Sequence, residues 1–315
     1  MEKVSIGTTD LQVAPINFGG NVFGWTLTEQ RSFEMLDAFA AAGFNFIDTA
    51  DTYSWWVQGN KGGESETIIG NWLRSRGNRN NMVIATKVGS QNKEHKEDVS
   101  KAHILRSAEE SLKRLQVDHI DLYYTHFDDN VTPIEETLGA YQQLIKEGKV
   151  RYIAASNLTP ERLTASLELA ESAGLPRYQA LQPHYNLAER SNYETNYALI
   201  AAKYGLSVFP YWSLAAGFLT GKYRSESDLD KSVRGAGAKQ YLNPKGLGIL
   251  AALDSVAGKH KTQPATVALA WLLAQPQVAA PIVSATSQSQ LETLVQAPAL
   301  QLDQADLDLL NKASA

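Results

Sequence analysis

The sequence predicts an α/β fold, a (β/α)8 TIM barrel with an N-terminal β-hairpin and long loops at its C-terminal face. Three observations carry the expectation. Short apolar runs alternate with amphipathic stretches of helical period along most of the chain. Titratable residues stand directly after those runs, where the mouth of such a barrel collects its chemistry. The glycine fingerprint of the competing open sheet is missing.

In chain order, Lys3-Val4-Ser5-Ile6 and Leu11-Gln12-Val13 flank a Gly/Thr/Asp turn and read as the opening hairpin. Apolar runs then recur at 16–18, 46–47, 82–85, 120–124, 150–155, 180–182, 206–209 and 281–283, which makes eight strands. Between them lie stretches such as 100–115, where Ile104, Leu105, Ala108, Leu112 and Leu115 share one helical face and Ser100 is placed to cap it. Thr132-Pro133-Ile134-Glu135 reads as a capping box with Thr132 as N-cap, and Gly148 as the stop of the helix that follows. A doubly wound sheet would show Gly-x-Gly-x-x-Gly after its first strand. Gly235-Ala236-Gly237 has neither a third glycine, since Gln240 occupies that place, nor a strand before it, and reads as a mobile loop. Two loops exceed the regular spacing, 49–62 and 211–245, and long loops in compact folds tend to carry function. No linker or low-complexity tract interrupts the alternation, so residues 1–315 are expected to form a single domain.

Composition narrows the function classes. Of the 315 residues, 43% are hydrophobic and 20% charged, enough for one large core. The net charge is −5 with basic residues scattered, so no positive stripe for nucleic acid or an acidic membrane forms. No apolar stretch approaches membrane-spanning length and no basic-then-apolar leader opens the chain, which points to the cytoplasm. The absence of cysteine removes disulfides, thiolate metal sites and cysteine nucleophiles together. No His-Glu-x-x-His occurs, His184 and His260 stand isolated, and Asp128-Asp129 reads as a loop cap, so no metal site is expected. A Gly-x-Ser-x-Gly elbow is absent as well.

The strand ends tell more. Strand two ends in Asp48 with Tyr53 beyond it, strand three in Lys87 and strand four in His126. Strand five leads into Ser156-Asn157, strand six ends in Gln182, strand seven is followed by Tyr211, and strand eight leads into Ser284-Ala285-Thr286. Singly, each has an ordinary structural explanation. Together they make an acid catalyst: a tyrosine with a pKa of about 10 is a poor donor at neutral pH, and a nearby ammonium stabilises its phenolate. Asp48 would hold that ammonium in place and offset the cost of burying it.

Phe46-Ile47-Asp48-Thr49-Ala50-Asp51-Thr52-Tyr53, Ile84-Ala85-Thr86-Lys87 and Asp121-Leu122-Tyr123-Tyr124-Thr125-His126 resemble, in order and spacing, three motifs of the aldo-keto reductase superfamily, and more closely those of its bacterial branch related to potassium-channel β subunits. The resemblance runs from Gly19-Gly20-Asn21 to the final helix. It implies NADPH-dependent reduction of aldehydes or ketones, with Asp48, Tyr53, Lys87 and His126 as the catalytic tetrad. Tyr53 would be general acid and His126 would orient the substrate oxygen. An alternative from the channel-related branch is a cofactor-binding regulatory module with slow or incidental turnover.

The same resemblance implies cofactor contacts at Gly20 and Asn21, at Asp48, at Ser156, Asn157 and Gln182 for the carboxamide, and at Tyr211 for the nicotinamide face. Ser213, Leu214, Gly217, Lys222 and Arg234 fall in the segment that covers the pyrophosphate, although Trp212-Ser213 stands where a Ser-Pro pair is common. Ser284, Thr286 and Gln290 fall at the adenosine end, where the arginine that grips a 2′-phosphate is missing from its usual place. NADPH is still expected over NADH, by a smaller margin than where that arginine is present, since no acidic residue repels the phosphate there. Phe23, Trp25, Trp55, Trp56 and Trp212 crowd the expected mouth and favour an apolar or aromatic carbonyl or alcohol as the small-molecule partner.

Overall fold

The computed structural model describes residues 2–92 and 96–315. Two short strands, β1 (Val4–Ser5) and β2 (Gln12–Val13), pair antiparallel as the opening hairpin. Eight parallel strands follow: β3 (Asn17–Gly19), β4 (Phe46–Asp48), β5 (Val83–Val88), β6 (Ile120–Thr125), β7 (Val150–Ser156), β8 (Tyr178–Gln182), β9 (Ser207–Val208) and β10 (Ile282–Val283). Their order in the sheet is β10-β3-β4-β5-β6-β7-β8-β9. The seam between first and last is bridged by backbone: Val208 donates to Gln277 O at 2.8 Å, Ala279 to Val208 O at 3.0 Å and Ile282 to Pro210 O at 2.9 Å. All eight lie where the apolar runs put them.

Strand side chains alternate between two cores, as a pleat with both faces covered requires. Phe46, Ala85, Leu122, Tyr124, Ala154, Ala180 and Phe209 point into the barrel, and Ile6, Leu11 and Val13 of the hairpin join them as its floor. Phe46 and Phe209 meet edge to face across the interior at 5.0 Å. The intervening residues, including Phe18, Ile47, Ile84, Tyr123, Ile153 and Leu181, face the helical layer. That layer includes α1 (Glu29–Ala41), α2 (Glu64–Arg76), α3 (Lys101–Leu115), α4 (Ile134–Lys146) and α5 (Pro160–Ala173). Helices α2 and α3 approach so closely that a Cβ on Gly70 would fall 2.2 Å from the Arg114 carbonyl. No helix of the described residues is long and apolar enough to cross a membrane.

Local signals held in part. Ser100 caps α3 by accepting from His103 N at 3.4 Å, and Gly148, at φ 72°, ends the chain's run through α4 in the left-handed region that glycine tolerates. Thr132 is a correction: it does not cap α4, whose N-cap is Pro133 without a side-chain bond. The Thr132 hydroxyl donates to Asp129 Oδ2 at 2.6 Å instead, and Asp129 also accepts from the N–H groups of Val131 and Thr132. The bonds to Asp129 fold Thr132 into the loop, so its hydroxyl faces that carboxylate and not the N–H groups of the first turn of α4.

The segment at Gly235-Ala236-Gly237 differs from the expected loop in having secondary structure. It forms a helical turn, Gly235–Ala238, packed so tightly that a Cβ on Gly235 would lie 1.8 Å from Leu229 O. The glycine marks close approach rather than freedom. The whole stretch after β9 is built of short turns over Phe218, Leu219, Tyr223 and Tyr241, all buried.

Candidate active site

The C-terminal ends of β4, β5 and β8 bring three polar groups to the top of the barrel interior. Lys87, with 0% of its surface exposed, ion-pairs with Asp48 Oδ2 and donates to Thr49 O at 2.8 Å. Its ammonium reaches the Tyr53 hydroxyl at 3.5 Å and lies 5.0 Å from the centre of that ring. Gln182 Nε2 donates to the other oxygen of Asp48 at 3.0 Å. The carboxylate is thus held by two strands, and the ammonium by the carboxylate and a carbonyl.

Burial works against the charge on Lys87, but Asp48 and then Tyr53 outweigh it, so its pKa lies above the ordinary lysine value and it stays an ammonium. Burial pushes the Asp48 carboxyl up, with Lys87 and then Gln182 pulling it back. Tyr53 departs from the expectation that the lysine brings it down. Burial raises its phenol and exceeds the opposing pull of Lys87, so the hydroxyl is protonated and poised as a donor.

His126 stands beside Tyr53, ring centres 5.9 Å apart. Burial first, and Lys87 next, hold its imidazole well below the ordinary histidine range, so it is neutral. Its Nδ1 is buried and has no partner among the described residues. A neutral ring of this kind offers a hydrogen bond without adding a charge beside the ammonium.

A second polar chain runs along the next strands. Ser156 Oγ donates to Gln182 O at 3.0 Å, Asn157 Nδ2 to His126 O at 2.9 Å, and Tyr211 OH to Asn157 Oδ1 at 3.1 Å. The Tyr211 ring is backed by His184, stacked at 5.3 Å with 15° between planes. His184 is the residue sequence reasoning set aside as isolated; its place two residues past Gln182 was the available signal. Asn186 Nδ2 donates to Trp212 O at 2.9 Å and steadies that residue at φ 52°, a left-handed conformation rare for a bulky side chain.

The aromatic mouth divides. Trp56 meets both Tyr53 and Trp25 edge to face, at 5.5 and 5.8 Å, and Trp212, which follows β9 and packs edge-on to His184, is 53% exposed. Trp55, beside Trp56 in the loop after β4, is half-buried. Phe23 is a correction: it is 0% exposed and stacks on Phe18 at 5.5 Å, because the turn at Gly20–Val22 directs it into the helix-side core. Phe127, 36% exposed beside His126, takes a place on the rim that sequence reasoning missed.

The aldo/keto reductase family model matches residues 15–315. The chain belongs to the aldo/keto reductase family. Protein tas of Escherichia coli (strain K12) is 30% identical, with 96% of this chain and 95% of that protein covered. The uncharacterized oxidoreductase YrpG of Bacillus subtilis (strain 168) is 33% identical, with 99% and 95% covered. A probable voltage-gated potassium channel subunit beta of Oryza sativa subsp. japonica is 31% identical, with 92% and 89% covered. Membership makes the chain an oxidoreductase of a family that uses NAD(P)H and acts on small carbonyl compounds.

In this aldo/keto reductase the remaining expected contacts cluster unevenly. Asn21 Oδ1 accepts from Ser284 Oγ at 2.8 Å and from Arg234 at 3.4 Å, joining the ends of β3 and β10 to the long loop. Arg234 also lies over Trp25 at 5.3 Å and, like Lys222, has no carboxylate partner among the described residues. Gly20 is buried behind them, and a Cβ on Gly217 would lie 3.4 Å from Lys222 Nζ. Ser213 is buried with its hydroxyl donated to Pro210 O at 2.9 Å, and Leu214 packs on the core, so neither offers a free side-chain donor. Thr286 donates both its N–H and its hydroxyl to Gln290 Oε1, at 2.9 and 3.1 Å.

Proposed function

We propose that the protein reduces aldehydes or ketones to alcohols with NADPH, Tyr53 donating the proton to the carbonyl oxygen. The observation that carries this reading is the fully buried Lys87 ammonium, held between Asp48 and the Tyr53 hydroxyl at the aromatic mouth. A protonated phenol next to a fixed cation gives up its proton as negative charge develops on a neighbouring oxygen, because the ammonium stabilises the phenolate that remains. Neutral His126 would orient that oxygen.

When bound, the nicotinamide cofactor supplies the hydride. The residues fit such a group: Tyr211 gives a flat, backed ring, Asn157 and Gln182 give amides suited to a carboxamide, and the cations Lys222 and Arg234, without carboxylate partners among the described residues, suit phosphates. Gly20, Asn21, Ser156 and Gly217 complete the polar and backbone surface around them, and Ser284, Thr286 and Gln290 would face the adenosine end. Trp25, Trp56 and Trp212 favour a planar or apolar substrate. The cysteine-free composition suits the cytoplasm.

Tyr53→Phe tests the reading. It keeps the ring and removes the donor, so the expected loss of carbonyl reduction is about a thousandfold or more, with NADPH affinity within about twofold of wild type. Turnover at the wild-type rate would sink the assignment. The likeness to plant channel subunits supports a second reading, a cofactor-binding regulatory module, which predicts cofactor binding without appreciable turnover on a panel of aldehydes, ketones and sugars.

A further inference from the structure

The first turn of α2 touches every segment that carries the proposed acid. Glu64 accepts from the backbone N–H groups of Ser54 at 3.3 Å, Lys61 at 2.8 Å and Gly62 at 3.0 Å, closing the loop on which Tyr53 stands. Ser65 donates its N–H to Tyr53 O at 3.2 Å and its hydroxyl to Gly20 O at 2.8 Å. The same hydroxyl accepts from Thr49 Oγ1 at 2.7 Å, and the Thr49 carbonyl is an acceptor for Lys87. Glu66, wholly buried, accepts from Thr86 Oγ1 at 2.5 Å and from Arg114 Nε at 2.6 Å. Thr86 precedes Lys87 on β5 and faces the helix while Lys87 faces the barrel.

Anchoring the helix does not require these bonds. Ile68, Ile69, Trp72 and Leu73 already bury its apolar face, and a buried carboxylate is costly unless fully paired. The neighbouring backbone is also shaped to let the turn approach: a Cβ on Gly20 would lie 2.8 Å from Ser65 Oγ, and one on Gly63 2.5 Å from Arg114 Cδ.

We propose that Glu64, Ser65 and Glu66 are positioning residues that set the separation between the Tyr53 hydroxyl and the Lys87 ammonium, holding the loop of one and the strand of the other. This role rests on Tyr53 and Lys87 acting as proposed above. The pair sits at 3.5 Å, the limit of a hydrogen bond. A drift of about 1 Å weakens their Coulomb coupling by about a fifth, and misplacements of that size cost up to about a hundredfold in rate.

Thr86 provides the cleanest test because two substitutions separate hydrogen bonding from packing. Thr86→Val keeps the shape and loses the bond to Glu66; Thr86→Ser keeps the bond and loses a methyl. Single-turnover reduction with saturating NADPH should slow about tenfold in Thr86→Val, with NADPH Kd and carbonyl KM within about twofold, and return to near wild type in Thr86→Ser. A purely structural hydroxyl predicts no change in rate for the valine variant, and packing alone predicts that the serine variant is the slower; either result overturns the proposal. Should Thr86→Val not fold, Glu64→Gln, at a part-exposed position, is expected to slow the same step about threefold at unchanged Kd, and a wild-type rate there overturns it equally. Tyr53→Phe, run in parallel, distinguishes the two levels: if it retains full rate, the acid assignment itself has failed.

Discussion

Asp51 lies between strand β4 and the proposed acid, with its N–H on Lys87 O at 3.2 Å and its Oδ1 buried without a partner among the described residues. Burial, then the charge of Glu66, push its carboxyl from 3.8 up to about 8, with Arg114 opposing. A carboxyl with a raised folded pKa binds its proton more tightly in the folded state, so the contribution of Asp51 to stability is full below about pH 4 and is lost as pH rises through about 8. Asp51→Asn removes the titration and keeps the shape. Its melting temperature relative to wild type should therefore be higher at about pH 8.5 than at about pH 5, by roughly 6 °C. A difference that stays level with pH would mean that Asp51 is already ionised in the folded protein. The residue-scale readings that failed share a cause: Thr132 and Phe23 were read from local pattern, and each was captured by a partner that local pattern does not rank, Asp129 and Phe18.

At the scale of elements, the end of β10 bears on cofactor choice. Ser284 and Thr286 are neutral, and their donors are engaged within the protein, on Gly19, Asn21 and Gln290. A 2′-phosphate read by such groups gains less than one read by a guanidinium, yet meets no carboxylate in the segment. NADPH is thus expected to bind more tightly than NADH, by about tenfold or less, and Thr286→Arg to widen the gap by about tenfold. Dissociation constants from fluorescence quenching at fixed ionic strength check both. Tighter binding of NADH contradicts the preference, and a Thr286→Arg variant with an unchanged ratio locates the 2′-phosphate elsewhere.

Across the whole molecule, the long loop after β9 spans the barrel mouth. Through Arg234 it reaches Asn21 and Trp25 at the end of β3, and through Tyr211 it reaches Asn157 beyond β7. Left-handed residues at Trp212, Ala215, Ala216 and Gly217 turn the chain over that opening, and Lys222 and Arg234, which have no carboxylate partner among the described residues, lie further along it. A cover that closes on an anionic ligand is expected to lose amide exchange when one binds. Hydrogen exchange over residues 211–243 is expected to slow at least several-fold with saturating NADPH, while the strands change little. Equal exchange with and without NADPH would rule out a clasp.

Sequence alone determined the barrel and the group Asp48, Tyr53, Lys87 and His126, because both are written in short contiguous signals. Short apolar runs mark the strands, and the proposed catalytic side chains stand at or just past the ends of three of them, Asp48 and Tyr53 at one, Lys87 and His126 at the next two, where the closed sheet must deliver them to one face. Tertiary structure decided what surrounds that group. Ser65 meets Gly20 across 45 positions, Glu66 meets Arg114 across 48, and the stack of His184 on Tyr211 joins two strands. It also decided the direction of the Tyr53 titration, since burial is a property of the assembled mouth and outweighs the one charge that the motif announces.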